Sequence, residues 1–205
     1  MRGLAFEGVR VTLGGAEVAA LSAHVGPGEA LTVMGPSGSG KSTLLAAAVG
    51  ALAPAFRMEG RVTVDGADVT DLPTERRRLG ILFQDELLFP HLSVGGNLAF
   101  GLPAAVKGAE RRARVAAALD AVGLGGMAAR DPATLSGGQR ARAALMRTLL
   151  SEPRALLLDE PFSKLDAALR GKVRETVFAA ARARGLPVLL VTHDPERSEE
   201  RRVGK

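Results

Sequence analysis

A glycine-rich segment between a strand pattern and a helix pattern is the feature that most constrains the fold. Residues 35–43 read GPSGSGKST and match the pattern G-x-x-x-x-G-K-[ST] in full. The apolar run Ala30 to Met34 before the segment has the length of a buried strand, and Thr43 to Val49 after it has helical spacing. This context predicts a loop that wraps a phosphate chain, because its backbone N–H groups and the following helix start point at the anion. The alternative is a turn that only starts a helix, and the flanking elements argue against it.

The residues of this loop, the phosphate loop, have separate predicted roles. We expect Lys41 to reach the β- and γ-phosphates and the Ser42 hydroxyl to ligate Mg²⁺. The cofactor-binding residues are Gly35, Pro36, Ser37, Gly38, Ser39, Gly40, Lys41, Ser42 and Thr43.

A second apolar run, Ala155 to Leu158, ends in Asp159 and Glu160. A carboxylate at the end of a buried strand can hold Mg²⁺, and a second one can polarise an attacking water. We assign Asp159 to the metal and Glu160 to the general base. Alone, the pattern would more often be a strand end with solvated acids, and its pairing with the phosphate loop favours catalysis.

The segment Leu135-Ser136-Gly137-Gly138-Gln139, the signature loop, precedes a helix pattern. Ser136 suits an N-cap, and the glycines leave backbone N–H groups uncovered at the positive end of the helix dipole. The alternative is an ordinary capped helix start. Because one nucleotide does not need two anion-binding loops, we expect this one to serve a nucleotide held by another copy of the chain.

Strand patterns alternate with helix patterns, which predicts an α/β fold with a mostly parallel sheet. The patterns of buried strands are Ala30 to Met34, Leu79 to Phe83, Ala155 to Leu158 and Val188 to Val191. Gly-bounded strand patterns at Leu4 to Val11, Glu17 to Val25 and Arg61 to Val64 predict a small antiparallel layer. Strand signals vanish between Ser93 and Leu135 while Glu110 to Val122 shows helical spacing, so we expect an inserted helical subdomain over about 91–140.

Composition excludes several classes of protein. No apolar run approaches the roughly 18 residues of a membrane-spanning helix, and the absence of cysteine removes disulfides and thiolate metal sites and favours a reducing cytosol. The net charge is +5, and 22 of the 27 basic residues are Arg. These arginines show no aromatic interleaving, since Trp and Tyr are absent, so we expect no nucleic-acid partner.

The order of these motifs resembles the ATP-binding subunit of ABC transporters over residues 3 to 196. The resemblance implies a P-loop NTPase (RecA-like) fold that binds ATP and Mg²⁺. It implies that Gln84 binds Mg²⁺ or water beside a membrane partner, that Asp166 lies in a loop crossing between subunits, and that His193 senses the γ-phosphate. Taken singly, Gln84 could be a strand cap, Asp166 a helix N-cap and His193 a surface imidazole.

The resemblance also implies partners. They are a second copy in a head-to-tail dimer, integral membrane permease subunits and, indirectly, a periplasmic or extracellular substrate-binding protein, with the chain on the cytoplasmic face of the cell membrane. Residues 84–94 with Asn97 and 100–102 resemble the importer branch that serves polyamines, sulfate, iron and thiamine. A soluble ABC-type ATPase acting on DNA or ribosomes is the alternative, but it usually has tandem ATPase domains or a long coiled-coil insertion.

Two features depart from that family pattern. Leu13 occupies the position where an aromatic residue commonly stacks on adenine, so we expect apolar contact from Leu13 or Val18 and weaker discrimination among purine nucleotides. We expect Phe6 to face the core instead. Residues 197–205, RSEERRVGK, match the translation of a common sequencing adapter. We therefore expect a truncated chain whose native domain spans 1–196 and whose tail 197–205 is non-native.

Overall fold

The computed structural model describes residues 2–85, 87–193 and 201–203. The chain forms two compact units. The first comprises residues 1–81, 154–160 and 181–205, and the second comprises residues 82–153 and 161–180. Of the predicted tail, residues 197–200 and 204–205 lie outside the described residues, and its description as non-native stays a prediction.

The first unit contains two sheets and the helix that follows the phosphate loop. The antiparallel sheet has the order β2-β1-β4-β5, formed by β1 (Leu4–Leu13), β2 (Ala16–Val25), β4 (Phe56–Val64) and β5 (Ala67–Asp68). The other sheet has the order β6-β7-β8-β3-β9, formed by β3 (Ala30–Met34), β6 (Leu79–Leu82), β7 (Ala155–Asp159), β8 (Val188–Thr192) and β9 (Arg201–Val203). β3 pairs in parallel with β8 and β9, and β7 with β8. The expected α/β fold with a parallel sheet and an antiparallel layer is confirmed.

Helix α1 (Lys41–Val49) contacts both the antiparallel sheet and β7, and the short helix α2 is Thr74–Arg77. In α1, Leu44, Leu45 and Val49 are buried in one apolar cluster with Leu157 of β7. Phe6 belongs to the same cluster and faces the core as expected. Burying apolar area of this kind stabilises a fold by about 25 cal/mol per Å². The packing holds the helix that carries the phosphate loop at its start.

The second unit is helical. It contains α3 (Val94–Gly101), α4 (Gly108–Ala121), a 3-10 turn (Pro132–Thr134), α5 (Gly137–Leu150) and most of α6 (Ala167–Ala183). Helix α3 packs on α5, and α4 contacts both. The structure confirms that the stretch between Ser93 and Leu135 is helical, as predicted. In the part of the chain that the structure describes, no helix has the length and apolarity needed to cross a membrane.

The ends of several observed strands differ from the predicted ends. β4 begins at Phe56 rather than at the predicted Arg61. The prediction missed the first half of the strand because this half is largely exposed and has polar residues such as Arg57 and Glu59 at alternate positions. An antiparallel strand with one solvated face needs no continuous apolar run. β6 ends at Leu82, one residue before the predicted end at Phe83.

Candidate nucleotide site

The phosphate loop contains a glycine that the backbone requires. Gly40, the N-cap residue of α1, has φ 79°, and a Cβ there would lie 2.3 Å from the carbonyl oxygen of Val18. Both observations exclude a side chain at this position. The N-cap gives α1 no side-chain hydrogen bond, and the first turn has no acidic residue. The first backbone N–H groups of α1, which have no acceptor within the helix, are therefore left for a ligand.

Lys41 lies at the start of α1 and is only 9% exposed. Its Nζ donates to the carbonyl oxygens of Gly35 and Pro36, at 2.7 and 2.8 Å, and contacts Ser39 Oγ at 3.4 Å. These acceptors are neutral, and Lys41 makes no ion pair with any of the described residues. Since buried charges are normally paired, a buried ammonium set among neutral carbonyls fits an anionic ligand such as a phosphate chain.

Asp159 ends β7 and is 3% exposed. Burial raises the pKa of this carboxyl, while a hydrogen bond from Ser42 and the charge of Lys41 oppose the rise and the charge of Glu160 adds to it. Ser42 and Asp159 thus place a hydroxyl and a carboxylate oxygen together, and hard oxygen ligands of this kind fit Mg²⁺. A divalent cation would favour the ionised form that burial disfavours.

Glu160 follows Asp159 and has φ 46°, a left-handed conformation that is uncommon for a residue other than glycine. Its side chain is 11% exposed, and its Oε1 lies 2.6 Å from Nδ1 of His193, whose side chain is 53% exposed. Backbone outliers of this kind cluster at active sites. The structure therefore brings together the predicted general base and the predicted γ-phosphate sensor, so His193 is not an isolated surface imidazole.

The signature loop begins α5 with a complete capping box. Ser136 Oγ accepts from the backbone N–H of Gln139, and Gln139 Oε1 accepts from the backbone N–H of Ser136. The N–H groups of Gly137 and Gly138 belong to the first turn, where a helix offers no internal acceptor. The expected N-cap is confirmed, and neither glycine adds a side chain of its own over the N–H groups of this helix start.

Arg142, which the sequence analysis did not identify, stabilises the first turn of α5 through a hydrogen bond to its backbone. It is buried, and its Nε donates to the carbonyl oxygen of Gly138 at 3.2 Å while Nη1 donates to Val122 and Gly123 just after α4. Burial lowers the pKa of Arg142. Its signal in the sequence is only an arginine inside a mostly apolar helix face, which composition alone attributes to a basic surface.

Gln84 and Asp166 belong, like the signature loop, to the second unit. Asp166 Oδ1 accepts from the backbone N–H of Leu169, so it acts as an N-cap for α6 as the structural alternative predicts. Lys164 Nζ donates to the carbonyl oxygen of Gln84 at 3.1 Å. A Cβ on Gly138 would lie 3.0 Å from the carbonyl oxygen of Lys164. These contacts bring the signature loop and the segments of Gln84 and Asp166 together within one unit.

An exposed apolar surface follows Gln84. Leu87 and Phe100 are 68% and 64% exposed, and Phe100 packs edge-on against Phe89 with ring centroids 4.6 Å apart. The buried Asn97 orders this turn, because its side chain accepts from the backbone N–H of Phe89 and donates to the carbonyl oxygens of residues 89, 92 and 93. Arg147 stacks over Phe89. Large exposed apolar side chains on an ordered frame are typical of an interaction surface.

Comparison with known proteins agrees with this geometry. A family model described as ABC transporter matches residues 18–163. An uncharacterised ABC transporter ATP-binding protein of Escherichia coli K12, YnjD, is 55% identical over 83% of this chain and 78% of its own length. A thiamine import ATP-binding protein of Cereibacter sphaeroides is 49% identical over 82% of this chain and 72% of its own length. An Fe(3+) ions import ATP-binding protein of Agrobacterium fabrum is 44% identical over 93% of this chain and 54% of its own length.

Among solved structures, a dimeric bacterial ABC transporter cassette superposes with a TM-score of 0.79. The two sequences are 30% identical, and the match covers 93% of this chain and 88% of the other. The likeness therefore extends over nearly the whole of both chains and includes both units.

Proposed function

Because this chain belongs to the ABC transporter family of ATP-binding proteins and is an ATPase, we propose that it is the ATP-hydrolysing subunit of an importer. Two copies close head to tail over two ATP molecules. Each site takes the phosphate loop of one copy and the signature loop of the other. Closure and reopening drive a membrane permease, and binding energy is thus used for domain motion.

The observation that carries this proposal is that one chain holds two helix starts suited to an anion. The start of α1 has a buried Lys41 among neutral acceptors and no side-chain cap. The start of α5 has two glycines behind a serine cap. A single nucleotide occupies one phosphate-loop helix, so the second helix start is best used on a nucleotide bound by a partner. The solved relative whose cassette is a dimer supports this arrangement.

The proposed chemistry divides among a few side chains. Lys41 binds the β- and γ-phosphates, and Ser42, Asp159 and Gln84 hold Mg²⁺ directly or through water. When bound, the ion neutralises charge on the phosphate oxygens. Glu160 accepts a proton from the attacking water, and His193 orients Glu160 through the Nδ1 contact of 2.6 Å. Ser136, Gly137 and Gly138 donate to the γ-phosphate held by the partner copy, with Gln139 holding the cap and Asp166 ordering the crossing loop.

The proposed membrane partner meets the surface formed by Leu87, Phe89 and Phe100. This surface is apolar and lies on the segment that follows Gln84, so a partner that docks here contacts the segment carrying a proposed Mg²⁺ ligand. Relatives named as thiamine and Fe(3+) ion import proteins support the importer class. The proposed location is the cytoplasmic face of the cell membrane, with a substrate-binding protein acting through the permease.

Mixing two impaired variants tests the composite site. Lys41→Ala and Ser136→Ala disable opposite halves of the proposed site, so a head-to-tail dimer of one with the other keeps one intact site. We expect an equal mixture to regain about a quarter of the wild-type ATPase rate, since half of the dimers are mixed and each has one intact site. If both loops served the same chain's nucleotide, the mixture would show only the average of the rates of its two components, and that result would refute the proposal.

The base of the nucleotide is proposed to rest on Leu13 or Val18. Leu13 is 43% exposed, and the carbonyl oxygen of Val18 lies beside Gly40 of the phosphate loop. Apolar contact discriminates purines less well than stacking on an aromatic ring does. In a competition assay we expect GTP to displace bound ATP at a concentration similar to that of ATP itself, and far weaker binding of GTP would contradict this assignment.

A further inference from the structure

The far end of the phosphate-loop helix is held by a buried guanidinium. Arg77, the last residue of α2, is 6% exposed. Its Nη1 donates to the carbonyl oxygens of Ala47 and Ala48 in the last turn of α1, at 3.1 and 2.8 Å. Its Nε donates to the carbonyl oxygen of Leu72 at 2.8 Å, and its Nη2 donates to that of Thr70. One side chain thus joins the end of α1 to the segment 70–77.

From these contacts we infer that Arg77 is a positioning residue for nucleotide binding, acting through α1 from the end opposite the phosphates. The last carbonyl groups of a helix have no partner within the helix. At the end of α1 the backbone N–H groups of Gly50 and Ala51 donate to Ala47 and Ala46, and Arg77 adds donors to Ala47 and Ala48. Its positive charge also opposes the negative end of the helix dipole. Ala47 and Ala48 follow Lys41 by six and seven residues, so Arg77 contacts α1 about 10 Å along its axis from Lys41. It touches neither the nucleotide nor the reacting atoms.

The length and composition of α1 favour such an anchor. Isolated helices shorter than about 12 residues are marginal in water. Nothing in α1 itself supplies a charge at its C-terminal end, since its last turn contains no basic residue. Gly50, the C-cap residue, has φ 75°, and a Cβ there would lie 2.6 Å from the guanidinium. The end of α1 is therefore shaped to admit Arg77 closely.

Holding α1 in one position lowers the entropic cost of binding nucleotide. A phosphate chain binds best to N–H groups that are already fixed, because ordering the loop on binding weakens affinity. If Arg77 holds α1 in one position, removing it frees the last turn and loosens the loop at the other end. Affinity for nucleotide then falls by more than a general loss of stability would cause.

Equilibrium binding of mant-ADP with Mg²⁺, at a temperature where every variant is folded, tests this inference. We expect Arg77→Met and Arg77→Lys to bind about tenfold more weakly, equivalent to about 1.4 kcal/mol, and to raise the KM for ATP more than they lower kcat. If Arg77→Met does not fold, Arg77→Lys carries the test, since lysine keeps the charge but loses the planar fork of donors.

The matched control is Arg111→Lys. Arg111 also donates to backbone carbonyl oxygens at a helix end, those of Ala99 and Val106, but in the second unit. We expect this variant to lose a comparable amount of thermal stability and to bind mant-ADP as the wild type does. The inference is overturned if the Arg77 variants lose stability yet keep the wild-type Kd within twofold, or if Arg111→Lys weakens binding equally.

The inference rests on the proposed placement of nucleotide on the phosphate loop, and Lys41→Ala separates the two. If Lys41→Ala binds mant-ADP normally, the placement itself is wrong. If Lys41→Ala fails to bind while the Arg77 variants bind normally, the placement stands and only the role of Arg77 is refuted.

Discussion

The two helix starts that face phosphate in the proposed site are prepared in opposite ways. The start of α1 has no side-chain cap and carries a buried Lys41 without an anionic partner among the described residues. The start of α5 is closed by a capping box between Ser136 and Gln139. The first is a poorly satisfied site that gains most from a ligand. The second is stable without one, as suits a surface that meets its ligand only when two copies close.

The capping box does not prevent Ser136 from binding a phosphate. Its Oγ accepts from the backbone N–H of Gln139, while the hydroxyl hydrogen stays available for donation. In the proposed closure, Ser136 therefore reaches the nucleotide without losing the hydrogen bond of its capping box. The comparison indicates different roles under the proposed mechanism, in which the start of α1 provides affinity and the start of α5 provides a preformed contact.

The largest expected effect is that of Lys41→Ala. Removing the only cation of the phosphate loop should weaken ATP binding about 100-fold and lower kcat/KM about 10³-fold, measured by titration and by phosphate release. Lys172→Ala, at an exposed lysine of α6, is the control and should match the wild type. Normal ATP binding by Lys41→Ala would contradict the proposal that the start of α1, unlike that of α5, provides the affinity for nucleotide.

Glu160→Gln should separate binding from turnover on the phosphate-loop side. The amide keeps the shape of the side chain but cannot accept a proton, so hydrolysis should fall about 10²- to 10³-fold. ATP should still bind, and ATP-bound dimers should accumulate in size-exclusion chromatography. Glu175→Gln, at an exposed site of α6, should leave the rate unchanged. Unchanged hydrolysis in Glu160→Gln would refute the general-base assignment.

Ser136→Ala tests the second helix start, with Ser93→Ala as a matched control. Both serines are N-caps in the second unit, since Ser93 Oγ accepts from the backbone N–H of Gly96 at 3.0 Å. Each variant should lose about 1 kcal/mol of stability. Only Ser136→Ala should lower the ATPase rate, by about tenfold, while its mant-ADP binding stays normal. An equal loss of ATPase rate in both variants would show that the signature loop is only an ordinary capped helix start.

The smallest effect is a gain of stability in Asp159→Asn. Burial raises the pKa of Asp159 above 3.8, so the folded state keeps its proton to higher pH than the unfolded chain does. The free energy of unfolding of the nucleotide-free protein therefore falls as pH rises from about that value through the raised pKa. At pH 7 we expect Asp159→Asn to raise the nucleotide-free Tm by about 2 to 4 °C.

The same variant should lose the additional Tm increase that Mg²⁺ gives over ATP alone. Because both proteins are uncharged at residue 159 below the unfolded pKa, the difference in Tm should vanish in acid. A lower Tm for Asp159→Asn at pH 7 would show that the carboxylate stabilises the nucleotide-free fold and would contradict the prediction.

Much of the fold follows from local sequence. Of the strands that the apolar runs predict, β7 and β8 are buried on both sides, and Leu156, Leu157 and Leu158 have no exposed surface at all. The phosphate loop could be predicted because Gly40 and Lys41 are required by backbone geometry and charge within one short segment. The first half of β4 could not, since a half-exposed antiparallel strand has no apolar run.

The arginines show the limit of reading composition. Their number indicates a basic protein, but Arg77, Arg111 and Arg142 are used inside the molecule, where each donates to carbonyl oxygens at or near a helix end. Neither their spacing nor their neighbours in the sequence reveal this, because the carbonyl groups they bind lie 4 to 30 residues away along the chain.

By itself the sequence determined the type of most strands and helices. It also predicts where a phosphate chain binds and which residues act as acid, base and cation, because these predictions depend on short patterns. Only the tertiary structure decided that Lys41 is buried among neutral acceptors, that His193 contacts Glu160, and that Arg77 holds the end of α1. The physical reason is that burial and pairing of charges depend on which distant segments pack together, and a local pattern does not contain that information.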